Sequence, residues 1–161
     1  MNIWHDIDQS KIREDDFYAV IEISKGSKNK YELDKDTGLI MLDRILYTST
    51  HYPANYGFIP LTYANDLDPL DVLVLCSEAL VPVSLVRCYP IGVIRMIDGK
   101  YDDDKIIAIP YNDPNMNHYK TLDDVPKHMI SEIEHFFMVY KNLEHKSTTG
   151  FKLEGKKQAM D

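Results

Sequence analysis

Between residues 17 and 110 the chain makes one short β-forming run after another and breaks each with glycine, proline or acid-rich punctuation. F-Y-A-V-I-E-I (17–23) comes first. K-Y-E-L-D (30–34) and L-I-M-L-D-R-I-L (39–46) follow, separated by a D-K-D-T-G turn ending at Gly38, the spacing of a hairpin. D-V-L-V-L-C (71–76) reads as a short buried strand, and K-I-I-A-I-P (105–110) closes the series. The longer run L-V-R-C-Y-P-I-G-V-I-R-M-I (85–97) carries Pro90 and Gly92, which mark a bend or bulge. Short strands at this spacing predict a closed or nearly closed barrel, because closure removes exposed sheet edges.

One segment has the other period. After Asp123, Asp124 and Pro126, which suit a helix start, H-M-I-S-E-I-E-H-F-F-M-V-Y-K-N-L (128–143) places Ile130, Ile133, Phe137 and Tyr140 three or four residues apart. That stripe predicts one long helix lying on the barrel. The tail after it offers one more short strand. The fold class is therefore α+β, mainly β, and 161 residues suit a single domain spanning 1–161.

With 44% apolar residues and 11% aromatics the chain has the composition of a globular protein. Its formal charge of −8, from 26 acids against 18 Lys and Arg, argues against a nucleic-acid binder, and no basic groove interleaved with aromatics supports one. No apolar run approaches membrane length, and M-N-I-W-H-D-I-D-Q-S lacks the basic and apolar regions of a signal peptide. Cys76 and Cys88 each sit in an apolar run, as reduced buried thiols do. These features predict a cytoplasmic setting without a membrane.

Against this background some charges stand in the wrong places. Alternation puts Glu22 in a row with Tyr18 and Val20, and Arg44 in a row with Leu42 and Leu46. Lys30, Glu32 and Asp34 share a face, which alone suits ordinary solvation. Arg44 is harder to read that way, because a charge in an apolar run needs a partner or a ligand.

The acids are denser still in N-D-L-D-P-L-D-V (65–72), where Asp66, Asp68 and Asp71 crowd around a proline at the edge of a buried strand. Repulsion and desolvation oppose that crowding unless a cation resolves it. An EF-hand is excluded after its first two acids, since neither the loop glycine nor the terminal glutamate follows. A second cluster, D-G-K-Y-D-D-D-K (98–105), also lies between apolar strands. All-oxygen donors favour Mg²⁺ or Mn²⁺ over zinc. Ahead of the first cluster, T-H-Y-P-A-N-Y-G-F-I-P (50–60) reads as a loop carrying Tyr52 and Tyr56.

These pieces, in their order, resemble the soluble family I inorganic pyrophosphatases of bacterial type. The resemblance is carried by K-Y-E-L-D, L-D-R-I-L, H-Y-P-A-N-Y-G-F-I-P, D-L-D-P-L-D-V-L-V, R-C-Y-P-I-G-V, D-G-K-Y-D-D-D-K-I-I-A-I-P and H-F-F-M-V-Y-K-N-L-E, over about residues 15 to 145. It implies a small closed OB-like barrel and Mg²⁺-dependent hydrolysis of pyrophosphate to two phosphates, with Mn²⁺ as a possible substitute. Asp66, Asp71, Asp103 and Asp98 would hold metal, with Glu22 and Glu32 as a supporting acidic wall. Asp68 would act as general base on the attacking water. Lys30, Arg44, Tyr56, Lys105, Tyr140 and Lys141 would bind phosphate oxygens. The odd-face charges are largely these same residues. The family also implies a homo-oligomer, a hexamer for bacterial members. Leu67 and Gly99 depart from the family's usual residues, and the chain ends at Asp161, before a C-terminal helix that many members carry. A barrel that binds anions without catalysis is the competing reading, which retention of the acids together with the cations disfavours.

Overall fold

The computed structural model describes residues 15–60, 70–98, 101–143 and 152–155. Ten strands and one α-helix are found there: β1 (Phe17–Ile23), β2 (Asn29–Leu33), β3 (Ile40–Ile45), β4 (Asn55–Ile59), β5 (Leu70–Val74), β6 (Leu85–Arg95), β7 (Ile97–Asp98), β8 (Tyr101–Asp102), β9 (Lys105–Pro110), α1 (Lys127–Leu143) and β10 (Lys152–Gly155). The main sheet runs β1-β4-β5-β9-β6-β10, and β1 also pairs with β6. That last pairing, from Phe17↔Cys88 to Val20↔Leu85, closes five strands into a barrel. All contacts around it are antiparallel except β5 with β9, which run parallel. The OB-like barrel with one helix against it is thus observed.

Alternation along the strands sorts the core. Phe17, Ala19, Ile21, Ile59, Val72, Val74, Cys88, Val93, Ile106 and Ala108 form one buried cluster drawn from all five strands, the barrel's interior. The opposite faces of β5 and β9 supply Leu73, Ile107 and Ile109 to a second cluster, which α1 covers with Ile133, Phe136 and Phe137. The helix stripe is therefore as expected for Ile133 and Phe137. Ile130, partly buried, packs against the same cluster, and the side chain of Tyr140 lies outside the described ones.

Several local readings change. Tyr56 is not in a loop: N-Y-G-F-I forms β4, paired to β1 and β5. Gly57 hides the period there, and it is glycine because a Cβ would lie 1.9 Å from the Val20 carbonyl oxygen. Asp123 and Asp124 do not cap α1. Asp124 instead accepts hydrogen bonds from the Lys120 and Thr121 amides at 2.9 and 3.1 Å, shaping the 3-10 turn Leu122–Asp124 before the helix. The run around Arg44 is core only at its end: Met41, Leu42 and Ile45 are all about half exposed or more, whereas Leu46 is buried in the second cluster. The bulge expected in the long strand is present, as a register shift between Pro90 and Gly92.

Candidate active site

β5 and β9 run parallel in register Asp71↔Lys105, so both residues stand at the same end of the barrel. They share the outward row of Leu73 and Ile107, beneath the flank of α1. An acid at that position ends the apolar row. The Lys105 ammonium lies 3.1 Å from Asp71 Oδ2 and 3.2 Å from Asp103 Oδ1, and donates to the Tyr56 hydroxyl at 2.9 Å. It also sits 5.6 Å from the Phe137 ring centroid, which ties the cluster to the helix.

The electrostatics follow from crowding under the helix. Burial alone would favour a neutral amine, but Asp71 and Asp103 outweigh it and hold the Lys105 ammonium above its usual range. Tyr56 is pushed well up by burial and by the charges of Asp71 and Asp103, so its phenol keeps its proton and hydrogen-bonds Asp71. Glu22 accepts from the Leu33 amide at 2.7 Å, tethering the β2–β3 hairpin to the barrel. Burial pushes its carboxyl up to about 7; the Leu33 hydrogen bond opposes this, and Asp71 and Glu32 add to it.

A second group forms on the hairpin. Lys30 and Arg44 are register partners across β2 and β3. The Lys30 ammonium lies 3.3 Å from Asp43 Oδ2 and 3.5 Å from Glu32 Oε1, and Arg44 NH1 lies 2.5 Å from the same Asp43 oxygen. Glu32, at 62% side-chain exposure, faces solvent while Lys30, at 20%, is sheltered.

The structure thus gathers Asp71, Asp103, Lys105 and Tyr56 at one point, with Glu22 electrostatically linked to Asp71, and pairs Lys30 with Arg44 and Glu32 on the hairpin. Asp66 and Asp68 lie outside the described residues. Asp98 is in β7, and Tyr140 and Lys141 are in α1, but their side chains lie outside the described ones. Sequence reasoning passed over Asp43, which was legible only as one more acid in an L-D-R run. Among the described residues no three His, Cys, Asp or Glu side chains converge on a metal position. Asp71 and Asp103 do aim carboxylate oxygens at one shared cation, the lysine. That all-oxygen pair fits a hard divalent ion and does not fit zinc.

The fold and site together define a closed OB-like barrel protein with acids and a buried ammonium collected on the barrel's outer face, beneath a helix. A family model described as inorganic pyrophosphatase matches residues 19–161, and the chain belongs to that family, the soluble family I enzymes that hydrolyse pyrophosphate. It is 45% identical to an inorganic pyrophosphatase of Haloferax volcanii over 89% of this chain and 81% of that one. A soluble inorganic pyrophosphatase of Solanum tuberosum is 52% identical over 89% and 68% of the two chains. Among solved structures, the inorganic pyrophosphatase of Thermus thermophilus superposes with a TM-score of 0.92 at 37% identity, covering 99% of this chain and 93% of that one. That of Helicobacter pylori gives 0.89 at 43% identity, covering 97% and 93%. Members of the family are metal-dependent in general.

Proposed function

We propose that this single domain, residues 1–161, is a Mg²⁺-dependent pyrophosphatase in which Asp66, Asp71, Asp98 and Asp103 hold metal and Asp68 is the general base. The observation that carries the metal assignment is the pair Asp71 and Asp103 sharing one buried cation. When bound, the divalent ions neutralise the substrate's charge and acidify the attacking water. The chain's own residues do the rest. Asp68 takes the proton from that water. Lys30 and Arg44, paired on the hairpin, receive phosphate oxygens, as do Tyr56, Lys105, Tyr140 and Lys141 from the barrel and helix. Tyr56, with its phenol proton retained, serves as a neutral donor. Glu22 and Glu32 supply the acidic wall beside Asp71 and Lys30. Mn²⁺ substitutes for Mg²⁺ in the same oxygen set.

Among the described residues no helix is long and apolar enough to cross a membrane. We place the enzyme in the cytoplasm as a homo-oligomer, a hexamer by preference. Support for assembly comes from Leu39, Met41, Leu42, Ile45 and Tyr47, exposed apolar side chains on and beside β3 that other copies could cover. Light scattering at micromolar concentration should report an oligomer; a monomer alone would refute the assembly.

Phosphate release from pyrophosphate, measured with Mg²⁺, with Mn²⁺ and with excess EDTA, tests the reaction. Turnover with either metal and none with chelator is expected. Full turnover in EDTA would overturn the metal mechanism.

A further inference from the structure

The register of the β2–β3 hairpin skips a residue. Lys30 faces Arg44 and the next pair is Tyr31↔Leu42, so Asp43 is the extra residue of a β-bulge. In a regular strand residues 43 and 44 would point to opposite faces. The bulge undoes that alternation, and one oxygen of Asp43 reaches both Lys30 Nζ at 3.3 Å and Arg44 NH1 at 2.5 Å. The two cations would otherwise repel each other across the strand pair. Neither is fully solvated, with side-chain exposures of 20% for Lys30 and 25% for Arg44, so the shared counter-charge acts where water screens incompletely.

We infer that Asp43 is a positioning residue: from its bulge it holds Lys30 and Arg44 side by side, spaced to receive adjacent oxygens of the substrate. This rests on the reading of those two cations as phosphate-binding. Asp43 touches no reacting atom. A pre-set pair of donors spares the substrate the cost of ordering two long side chains, a benefit that falls on binding more than on chemistry. The bulge is the device that makes this possible, because shifting Asp43 to the other face would leave Arg44 and Lys30 without their common acceptor.

A kinetic cycle tests it. Asp43→Ala should raise KM for pyrophosphate about five- to tenfold, the scale of a partly exposed charge-assisted contact, with kcat within about twofold of wild type. Asp43→Glu, which keeps the charge, should recover part of the loss. The same Asp43→Ala change in a Lys30→Met/Arg44→Met background should leave KM unmoved, since nothing remains to be positioned. A KM rise under about threefold in the wild-type background, or an equal rise in both backgrounds, would overturn the inference, the latter revealing a merely structural role. Should Lys30→Met/Arg44→Met itself leave KM unchanged, the phosphate-binding reading fails, and the inference fails with it. Asp43→Asn, isosteric and at a 36% exposed position, guards against a folding artefact in the alanine variant.

Discussion

Asp71 and Lys105 are register partners on the barrel's parallel strand pair, and their side chains close a 3.1 Å ion pair under the helix. With Asp103 on its other side, the lysine neutralises two acids at once. Removing it leaves those carboxylates facing each other in a sheltered site. Lys105→Met should therefore destabilise the metal-free protein by about 2–3 kcal/mol, below the value for a fully buried pair because Asp71 is 31% exposed. Divalent cation should then raise the melting temperature of the variant more than that of wild type, since the ion replaces the missing charge. Thermal melts in EDTA and in Mg²⁺ check both parts, and identical melts in EDTA would show the pair contributes nothing.

Asp68 and Asp71 should separate on substitution. Asp68→Asn keeps the shape of a turn-forming residue and removes the basicity, so kcat should fall about a hundredfold, the usual loss for a general base, with little change in metal affinity. Asp71→Asn should instead weaken Mg²⁺ binding, seen by calorimetry. Near wild-type turnover for Asp68→Asn would mean the residue merely forms its turn.

The strands and the helix were legible because period and punctuation agree with the final packing: F-Y-A-V-I-E-I and K-I-I-A-I-P fall on the boundaries expected for them. The strand β4 was not, since Gly57 at its centre contributes no side chain to any pattern and is required by the close approach of Val20. Two charges that break alternation led toward these groups: Glu22 is electrostatically linked to Asp71, and Arg44 is the register partner of Lys30. What the sequence concealed was register. Only the bulge tells that Asp43 joins Lys30 and Arg44, and only the parallel pairing tells that Asp71 meets Lys105. Both are long-range facts that local spacing does not encode.

Acid stability should depend on Asp113, away from this site. Its buried carboxylate accepts from the Ser77 amide at 2.7 Å, the Ser77 hydroxyl at 3.0 Å and the Asn115 amide at 3.0 Å, pinning the segment after β5 to the loop after β9. Burial would raise its pKa, but these hydrogen bonds prevail and hold it below the ordinary 3.8. A depressed folded-state value means the charged form is favoured by folding, so the contribution is whole above 3.8 and fades as pH falls through the lower, folded value. Asp113→Asn should cost about 1–3 kcal/mol at neutral pH by turning an acceptor toward an amide donor. Urea melts from pH 7 down to 3 should show the gap between the two proteins narrowing only below 3.8. A gap independent of pH would mean the charge is immaterial.

The turn before β6 carries strain that a single substitution relieves. The Ser84 amide bonds the Val81 carbonyl at 3.2 Å, closing a turn over Pro82 and Val83, and Val83 takes φ = 71°. Proline suits the first central position of such a turn, whereas the second wants a residue able to adopt positive φ, for which glycine is the usual choice. A β-branched side chain there crowds its own backbone, at about 1–2 kcal/mol. The conformation persists because both neighbours are tied down: the Val83 amide donates to the Ile21 carbonyl at 2.6 Å, and the Ser84 carbonyl accepts from the Ile21 amide at 3.0 Å. These bonds fix the start of β6 against β1, the seam that closes the barrel. The Val83 side chain is 42% exposed, so little packing is lost with it. Val83→Gly releases the strain and gives back part of the gain through the greater freedom of glycine in the unfolded chain. A net stabilisation of about 0.5–1 kcal/mol follows, with a rise of about 1–4 °C in Tm and pyrophosphate turnover unchanged. Val83→Ala separates the causes: it keeps the Cβ at positive φ and should recover less than half of the glycine effect. A Val83→Gly protein that melts at or below the wild-type temperature would show that the left-handed valine is not strained.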